Sequence, residues 1–124
     1  MKVGVVGATG VVGREIIREL DLIQGQNLSV KLFASVRSAG QTLHFGQESF
    51  EVKEFSFEEA KLCDYILMSA GSEFSKQWTE PLADAGVVVI DNSSAWRMDP
   101  RFPLLVPEVN SKEITEFSGN RIFP

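Results

Sequence analysis

The chain has 124 residues, 44% hydrophobic and 23% charged, which suits a single globular domain and argues against disorder or two full domains. Its formal charge of -5 disfavours a nucleic-acid partner, because a surface that follows a phosphate backbone needs a basic field. A single cysteine, Cys63, excludes a disulfide framework, and with a single histidine, His44, no Cys/His cluster is left to hold a metal.

Residues 2–6 are an apolar, β-branched run, and Val11, Val12, Ile16, Ile17 and Leu20 then recur at helical spacing, which predicts a strand, a tight turn and a helix. No charged leader precedes that strand and no later run approaches membrane-spanning length, so a soluble, cytoplasmic protein is expected. The turn reads Gly7-Ala-Thr-Gly-Val-Val-Gly13. Gly7 suits backbone angles closed to other residues, Gly10 lets main-chain N–H groups close on a pyrophosphate, and Gly13 lets the helix lie close to the sheet. The helix N-terminus adds unpaired donors and a partial positive charge. Directly after a buried strand and opening a helix, this spacing meets the context that a dinucleotide-binding fingerprint requires.

Residues 24–27 break the pattern, and residues 29–34 read as a second strand. In dinucleotide-binding folds an Asp or Glu at the end of this strand accepts from the adenosine ribose hydroxyls. Here the strand runs instead into Ser35-Val-Arg-Ser-Ala-Gly40. Ser35 and Ser38 offer hydroxyls, and Arg37 offers a guanidinium able to hold a phosphate by two parallel bonds, which favours NADP over NAD. The alternative for Arg37 is a solvated surface arginine. Residues 41–45 and 48–53, split by Gly46-Gln47, read as a small hairpin, with His44 in it structural or at the surface. Phe55, Phe57 and the Glu58-Glu59 pair suggest a short helix.

Residues 64–69 read as a further buried strand, ending in Ala70-Gly71-Ser72. The Ser72 hydroxyl is expected to cap a helix with Phe74, Trp78, Leu82 and Ala85 on one face. Small residues such as Ala70 and Gly71 at a strand's carboxyl end let a cofactor lie across it. Gly86 ends the helix, and residues 87–90 are as continuously apolar as a central parallel strand. They lead into Asp91-Asn-Ser-Ser-Ala-Trp-Arg-Met-Asp99, a polar loop on a rigid strand and therefore a natural place for binding groups. Pro100, Pro103 and Pro107 make a stiff passage, residues 111–117 a short helix capped by Asn110 or Ser111, and residues 121–124 the opening of a sixth strand. The expected fold class is α/β: a Rossmann-like, doubly wound, mainly parallel sheet with a small hairpin insertion, residues 1–124 forming one NADP-binding domain.

These motifs in this order, with Ser69-Ala-Gly71 and Val106-Pro-Glu-Val-Asn110, closely resemble the aspartate-semialdehyde dehydrogenases along the whole chain. The resemblance implies an oxidoreductase that reduces L-aspartyl 4-phosphate to L-aspartate 4-semialdehyde with NADPH, releasing phosphate, on the route to lysine, methionine and threonine. It implies that Thr9, Gly10, Val11 and Val12 contact the pyrophosphate and that Arg37, with Ser35 and Ser38, takes the 2'-phosphate. Ala70 and Gly71 line the cofactor cleft, and Arg97 holds the phosphate of the acyl phosphate or free phosphate. Asn92 and Ser93, by their place at the strand end, are expected near the nicotinamide and the reacting carbon. A fixed guanidinium at Arg97 would orient an incoming dianion and stabilise charge gathering on the leaving phosphate. The alternative for Arg97 is an ion pair with Asp99 or Asp91.

No catalytic nucleophile is identified in the chain. The resemblance places the family's nucleophilic cysteine, in an Asn-Pro-Asn-Cys-like motif, just beyond Pro124, with the histidine acid/base and the substrate-binding arginine in a C-terminal catalytic and dimerisation domain. Cys63 reads as a small core residue. Chemistry of this kind needs a thiolate, a hydride source and a proton donor, so these 124 residues alone are expected to bind NADP and turn nothing over. Family members are homodimers or tetramers, and exposed apolar surface is expected where the further domain would dock. The alternative readings are an N-acetyl-γ-glutamyl-phosphate reductase and a non-catalytic NADP-binding module. A short-chain dehydrogenase fits poorly, since it wants a lysine four residues after its tyrosine and Tyr65 has Ser69 there.

Overall fold

The computed structural model describes residues 1–23, 27–116 and 119–124. The opening apolar run forms β1 (Lys2–Val6), and the glycine turn delivers it into α1 (Val11–Leu22). Next come β2 (Ser29–Ala34), a hairpin of β3 (Thr42–Phe45) and β4 (Glu48–Glu51), the two-residue β5 (Lys53–Glu54) and the short α2 (Phe57–Ala60). β6 (Tyr65–Met68), α3 (Ser72–Asp84) and β7 (Val88–Asp91) follow. Two single-turn helices, α4 (Pro107–Asn110) and α5 (Glu113–Glu116), precede β8 (Ile122–Phe123). Residues 24–26 of the predicted break lie outside the described residues.

Among the described residues the main sheet runs β5-β2-β1-β6-β7-β8, with every neighbouring pair parallel. Counted along the chain, those strands lie in the order 3-2-1-4-5-6, the doubly wound arrangement that the sequence predicts. Alternate residues of each strand go to opposite layers. Val5, Leu32 and Ala34 pack with Ile17 of α1 and with Leu43 and Val52, whereas Val6, Phe33, Ile66, Met68 and Val89 pack with Leu82 of α3. Phe33, 1% exposed, illustrates the scale: burying such a side chain stabilises a fold by about 1.5–3 kcal/mol. Phe57 stacks on Trp78, and Phe55 meets Phe74 edge-on at 4.9 Å between centroids, closing the second layer. Over β6, β7 and β8 the layer on the α1 side is open. There Tyr65, Val88, Ile90 and Phe123 form an apolar hollow with Leu105 and Ile114, and Ile90 is 45% exposed.

The structure differs from the sequence-based expectation at four places. The second arm of the hairpin stops at Glu51, not Lys53: Val52 is fully buried and exchanges backbone bonds with Gln41 and Gly40 at 2.8 Å, after which Lys53 and Glu54 join the main sheet beside β2. Ser72 does not cap α3. Gly71 is the N-cap, and the Ser72 hydroxyl pairs with that of Ser94 at 3.0 Å. Ala85 falls at the exposed C-cap of α3, so the buried stripe runs through Ser75, Thr79 and Leu82, with Phe74 and Trp78 on its flank. The helix predicted over residues 111–117 is replaced by the turns α4 and α5, its last residue lying outside the described ones. Asn110 caps neither: its Oδ1 accepts from Val106 N at 2.7 Å and its amide donates to Leu104 O at 2.9 Å, bracing the proline-rich passage instead.

Candidate functional site

Open parallel sheets leave a crevice where the strand order reverses, and here that point lies between β1 and β6. A groove of about 370 Å³ occupies it. Gly7, Thr9 and Gly10 line it from the first turn, Ala34 and Ser35 from the end of β2, and Ser69, Ala70 and Gly71 from the end of β6, with Phe55 and Phe74 on its aromatic side.

The turn can take this shape only with glycine. Gly7 stands at φ 82°, a left-handed conformation, and donates its N–H to Phe33 O at 2.9 Å. A Cβ there would lie 2.6 Å from the carbonyl oxygen of Ser69, which is itself held by two donations to Val6 O, from its N–H at 2.9 Å and its hydroxyl at 3.1 Å. At Gly13 a Cβ would run into the carbonyl oxygen of Gly7, so the start of α1 lies directly against the turn. Gly10 differs: a Cβ would meet nothing closer than that same oxygen at 3.4 Å, an ordinary contact. Folding does not demand glycine there, which leaves the open approach to the turn as its use.

α1 begins without a side-chain cap and without an acidic residue in its first turn. The N–H groups of Val11, Val12 and Gly13 therefore have no partner within the helix and carry its positive end. Val11 is 89% exposed and Val12 44%, so neither side chain is held there by packing. At the end of β2, the amides of Ser38 and Ala39 close a turn on Ser35 O at 2.9 and 3.0 Å. Arg37 projects from that turn into solvent and makes no hydrogen bond or ion pair among the described residues.

A second cluster sits at the carboxyl end of β7. Asp91, 2% exposed, accepts from Ser93 N at 2.7 Å through Oδ1, and from the hydroxyls of Ser75 and, at 3.3 Å, Thr79 through Oδ2. Ser75 also accepts from Trp96 Nε1 at 3.0 Å. Asn92 is exposed and Ser93 nearly buried, its hydroxyl accepting from Ala95 N at 3.2 Å. Arg97 is exposed and donates to Asn92 O at 2.9 Å. The ion-pair alternative for Arg97 is not realised: Asp91 is taken as described, and Asp99 pairs with Arg101 at 2.8 Å. That guanidinium holds the Asp99 carboxyl below the usual carboxylate range.

The predicted residues thus fall into two groups, the groove with its helix N-terminus and the loop after β7. Sequence reasoning missed Ser75, Thr79 and Trp96, which hold the second, and Phe55, Phe74 and Ser69, which shape the first. A signal existed for the hydroxyl pair: Ser75 and Thr79 are four apart and Thr79 precedes Leu82 by three, one helix face that buries two polar groups and so requires a polar partner. Cys63 is buried, and burial pushes its thiol up, away from the thiolate a nucleophile needs. Among the described residues no helix is long and apolar enough to cross a membrane and no cluster of His, Cys, Asp or Glu is arranged to hold a metal ion.

Strand order, switch-point groove and uncapped helix together define a doubly wound dinucleotide-binding domain. Comparison with known proteins agrees and narrows the class. The chain belongs to the semialdehyde dehydrogenase family, matching the model "Semialdehyde dehydrogenase, NAD binding domain" over residues 2–117. It is 46% identical over 122 residues to an aspartate-semialdehyde dehydrogenase of Aquifex aeolicus, covering 98% of this chain and 36% of that protein. A Synechocystis protein of the same name is 43% identical over 122 residues, with 96% and 35% covered. Among solved structures, aspartate semialdehyde dehydrogenase II of Vibrio cholerae superposes with a TM-score of 0.88 at 38% identity, over 98% of this chain and 36% of that one. A Candida albicans enzyme described with NADP gives a TM-score of 0.74 at 26% identity, over 98% of this chain and 41% of that one. The chain spans about a third of the length of the relatives it matches.

Proposed function

We propose that the chain is the NADP-binding part of an aspartate-semialdehyde dehydrogenase, an enzyme that reduces L-aspartyl 4-phosphate to L-aspartate 4-semialdehyde and releases phosphate. The observation that carries this reading is the uncapped N-terminus of α1 opening on the switch-point groove, in a chain of this family. In it the amides of Thr9, Val11 and Val12 receive the pyrophosphate, Gly10, whose own amide closes the turn on Gly7 O at 3.1 Å, leaves room for its approach, and Ala70 and Gly71, lacking bulk, let the cofactor cross the end of β6. Ser35 and Ser38 stand where an acidic residue would select NAD, and Arg37, unpaired among the described residues, is free to grip a 2'-phosphate. Bound there, NADPH would supply the hydride.

The loop after β7 supplies the substrate side. Arg97 takes the phosphate of the acyl phosphate, orienting the dianion and stabilising it as it leaves. Asn92 and Ser93 lie at the strand end beside the reacting carbon. The nucleophile and the proton donor come from the remaining two thirds of the length seen in the relatives, in a C-terminal catalytic and dimerisation domain. Cytoplasmic residence, a homodimeric or tetrameric full-length enzyme and a role in lysine, methionine and threonine synthesis belong to the same reading.

The test is titration of the chain with NADP⁺ and NAD⁺, followed by the fluorescence of Trp78, which stacks on Phe57 beside the aromatic side of the groove. NADP⁺ should bind the more tightly, and Arg37→Ala should erase the difference. Equal affinities in the parent chain would remove the NADP assignment, and binding of neither nucleotide would remove the dinucleotide site.

A further inference from the structure

We propose that Asp91, although buried away from solvent, is a positioning residue that sets where Arg97 stands, acting through the loop it clamps; this rests on the phosphate role proposed for Arg97. A buried carboxylate is a poor choice for packing alone, since an apolar residue of similar volume would fill the space without the cost of desolvation. Asp91 is only 2% exposed, and both its oxygens are spent on the following loop or on the helix that holds that loop.

Two tethers on Arg97 trace back to this carboxylate. The first runs through the backbone: Oδ1 fixes Ser93 N at 2.7 Å, which sets the peptide of Asn92, whose carbonyl oxygen receives the Arg97 guanidinium at 2.9 Å. The second runs through Ser75, whose hydroxyl donates to Oδ2 and accepts from the indole N–H of Trp96 at 3.0 Å, anchoring the residue immediately before Arg97. The Arg97 side chain is therefore held at its root and at its tip. A guanidinium fixed in this way loses less rotamer freedom on meeting a phosphate than a free one does. The side chain with the most obvious competing claim is occupied elsewhere: Asp99 is bonded to Arg101.

The experiment follows the Arg97 Nε–H resonance of the chain during titration with inorganic phosphate, and the Trp78 fluorescence during titration with NADP⁺. Asp91→Asn keeps the shape but not the acceptor pattern, and Trp96→Phe keeps the ring against Phe102 but removes the indole donor. Each should weaken phosphate binding by about five- to tenfold, the effect of freeing one long side chain, while NADP⁺ affinity stays within about twofold. In an Arg97→Ala background neither substitution should change whatever phosphate affinity is left. Unchanged phosphate affinity in both variants, a loss that persists without Arg97, or an equal fall in NADP⁺ affinity would each overturn the proposal. An Arg97 resonance in the parent chain that ignores phosphate would overturn both the role of Arg97 and this inference, with the NADP⁺ titration still deciding the dinucleotide site separately.

Discussion

Replacing Gly7 by alanine tests whether the first turn is built by sterics or merely tolerated. At φ 82° an L-residue gives up about 1–2 kcal/mol of backbone energy. The new Cβ also lies 2.6 Å from the oxygen and 2.9 Å from the carbon of the Ser69 carbonyl, and Ser69 is tied to Val6 O through both its N–H and its hydroxyl. Relieving such an overlap in a packed region costs about 1–3 kcal/mol more. The sum, roughly 2–5 kcal/mol, is a large part of the 5–15 kcal/mol by which a domain of this kind is stable. Thermal unfolding followed by circular dichroism should therefore shift down by roughly 10–20 °C, at a few degrees per kcal/mol for this chain length. Gly10→Ala is the matched control: its Cβ finds only a 3.4 Å contact, so the melting temperature should move by a few degrees at most while NADP⁺ affinity drops, because on the proposed function the methyl group would stand in the path of the pyrophosphate. A Gly7→Ala chain melting within two or three degrees of the parent would refute the steric argument.

Other substitutions separate binding from stability. Val11→Asp places a carboxylate at the bare N-terminus of α1, where it should stabilise the helix by about 0.3–1 kcal/mol and at the same time repel the pyrophosphate; higher melting with weaker NADP⁺ binding is the expected pair of results. Burial raises the Cys63 pKa, so the thiol should resist iodoacetamide in the native state and react on unfolding. By the same linkage, the stability that the neutral thiol contributes is complete below the unfolded thiol pKa and is lost as pH rises through the higher folded value; Cys63→Ala should flatten that alkaline limb in pH-dependent melts. Asp99, held low by Arg101, should titrate at higher pH in Arg101→Gln when its carboxyl carbon is followed by NMR, and the contribution of the pair should vanish as pH falls through the depressed value of the parent.

The parts of the fold legible in the sequence are those where one physical demand dominates. Val3, Val5 and Val6 have to be buried on both faces, and Gly7 and Gly13 leave no room for a side chain, so strand, turn and helix were all readable. The same holds for Ile66 and Val89 and their strands. Lys53 and Glu54 were harder: exposed and charged, they belong to β5 only because Val52 is pinned beneath them and the edge of β2 is free to pair. Along α3 the apolar face through Phe74 and Trp78 dominates the sequence pattern, and the burial of Ser75 and Thr79 beside it makes sense only with Asp91, sixteen residues after Ser75, bonded to both. Local periodicity cannot show a partner that arrives through the sheet. For the same reason Arg37 and Arg97 could be nominated from sequence, but the release of Arg97 from Asp99 became visible only with Arg101 in place.

The seam between β1 and β6 has a consequence for how the groove behaves. Ser69 hangs on Val6 by both its amide and its hydroxyl, and Gly7 abuts it with no intervening side chain. The two strand ends are in effect riveted, and these bonds oppose any widening of the cradle between them. On the function proposed above, nucleotide capture would spend little free energy on shaping the protein, and the choice between nucleotides would fall to the rim, where Arg37 is exposed.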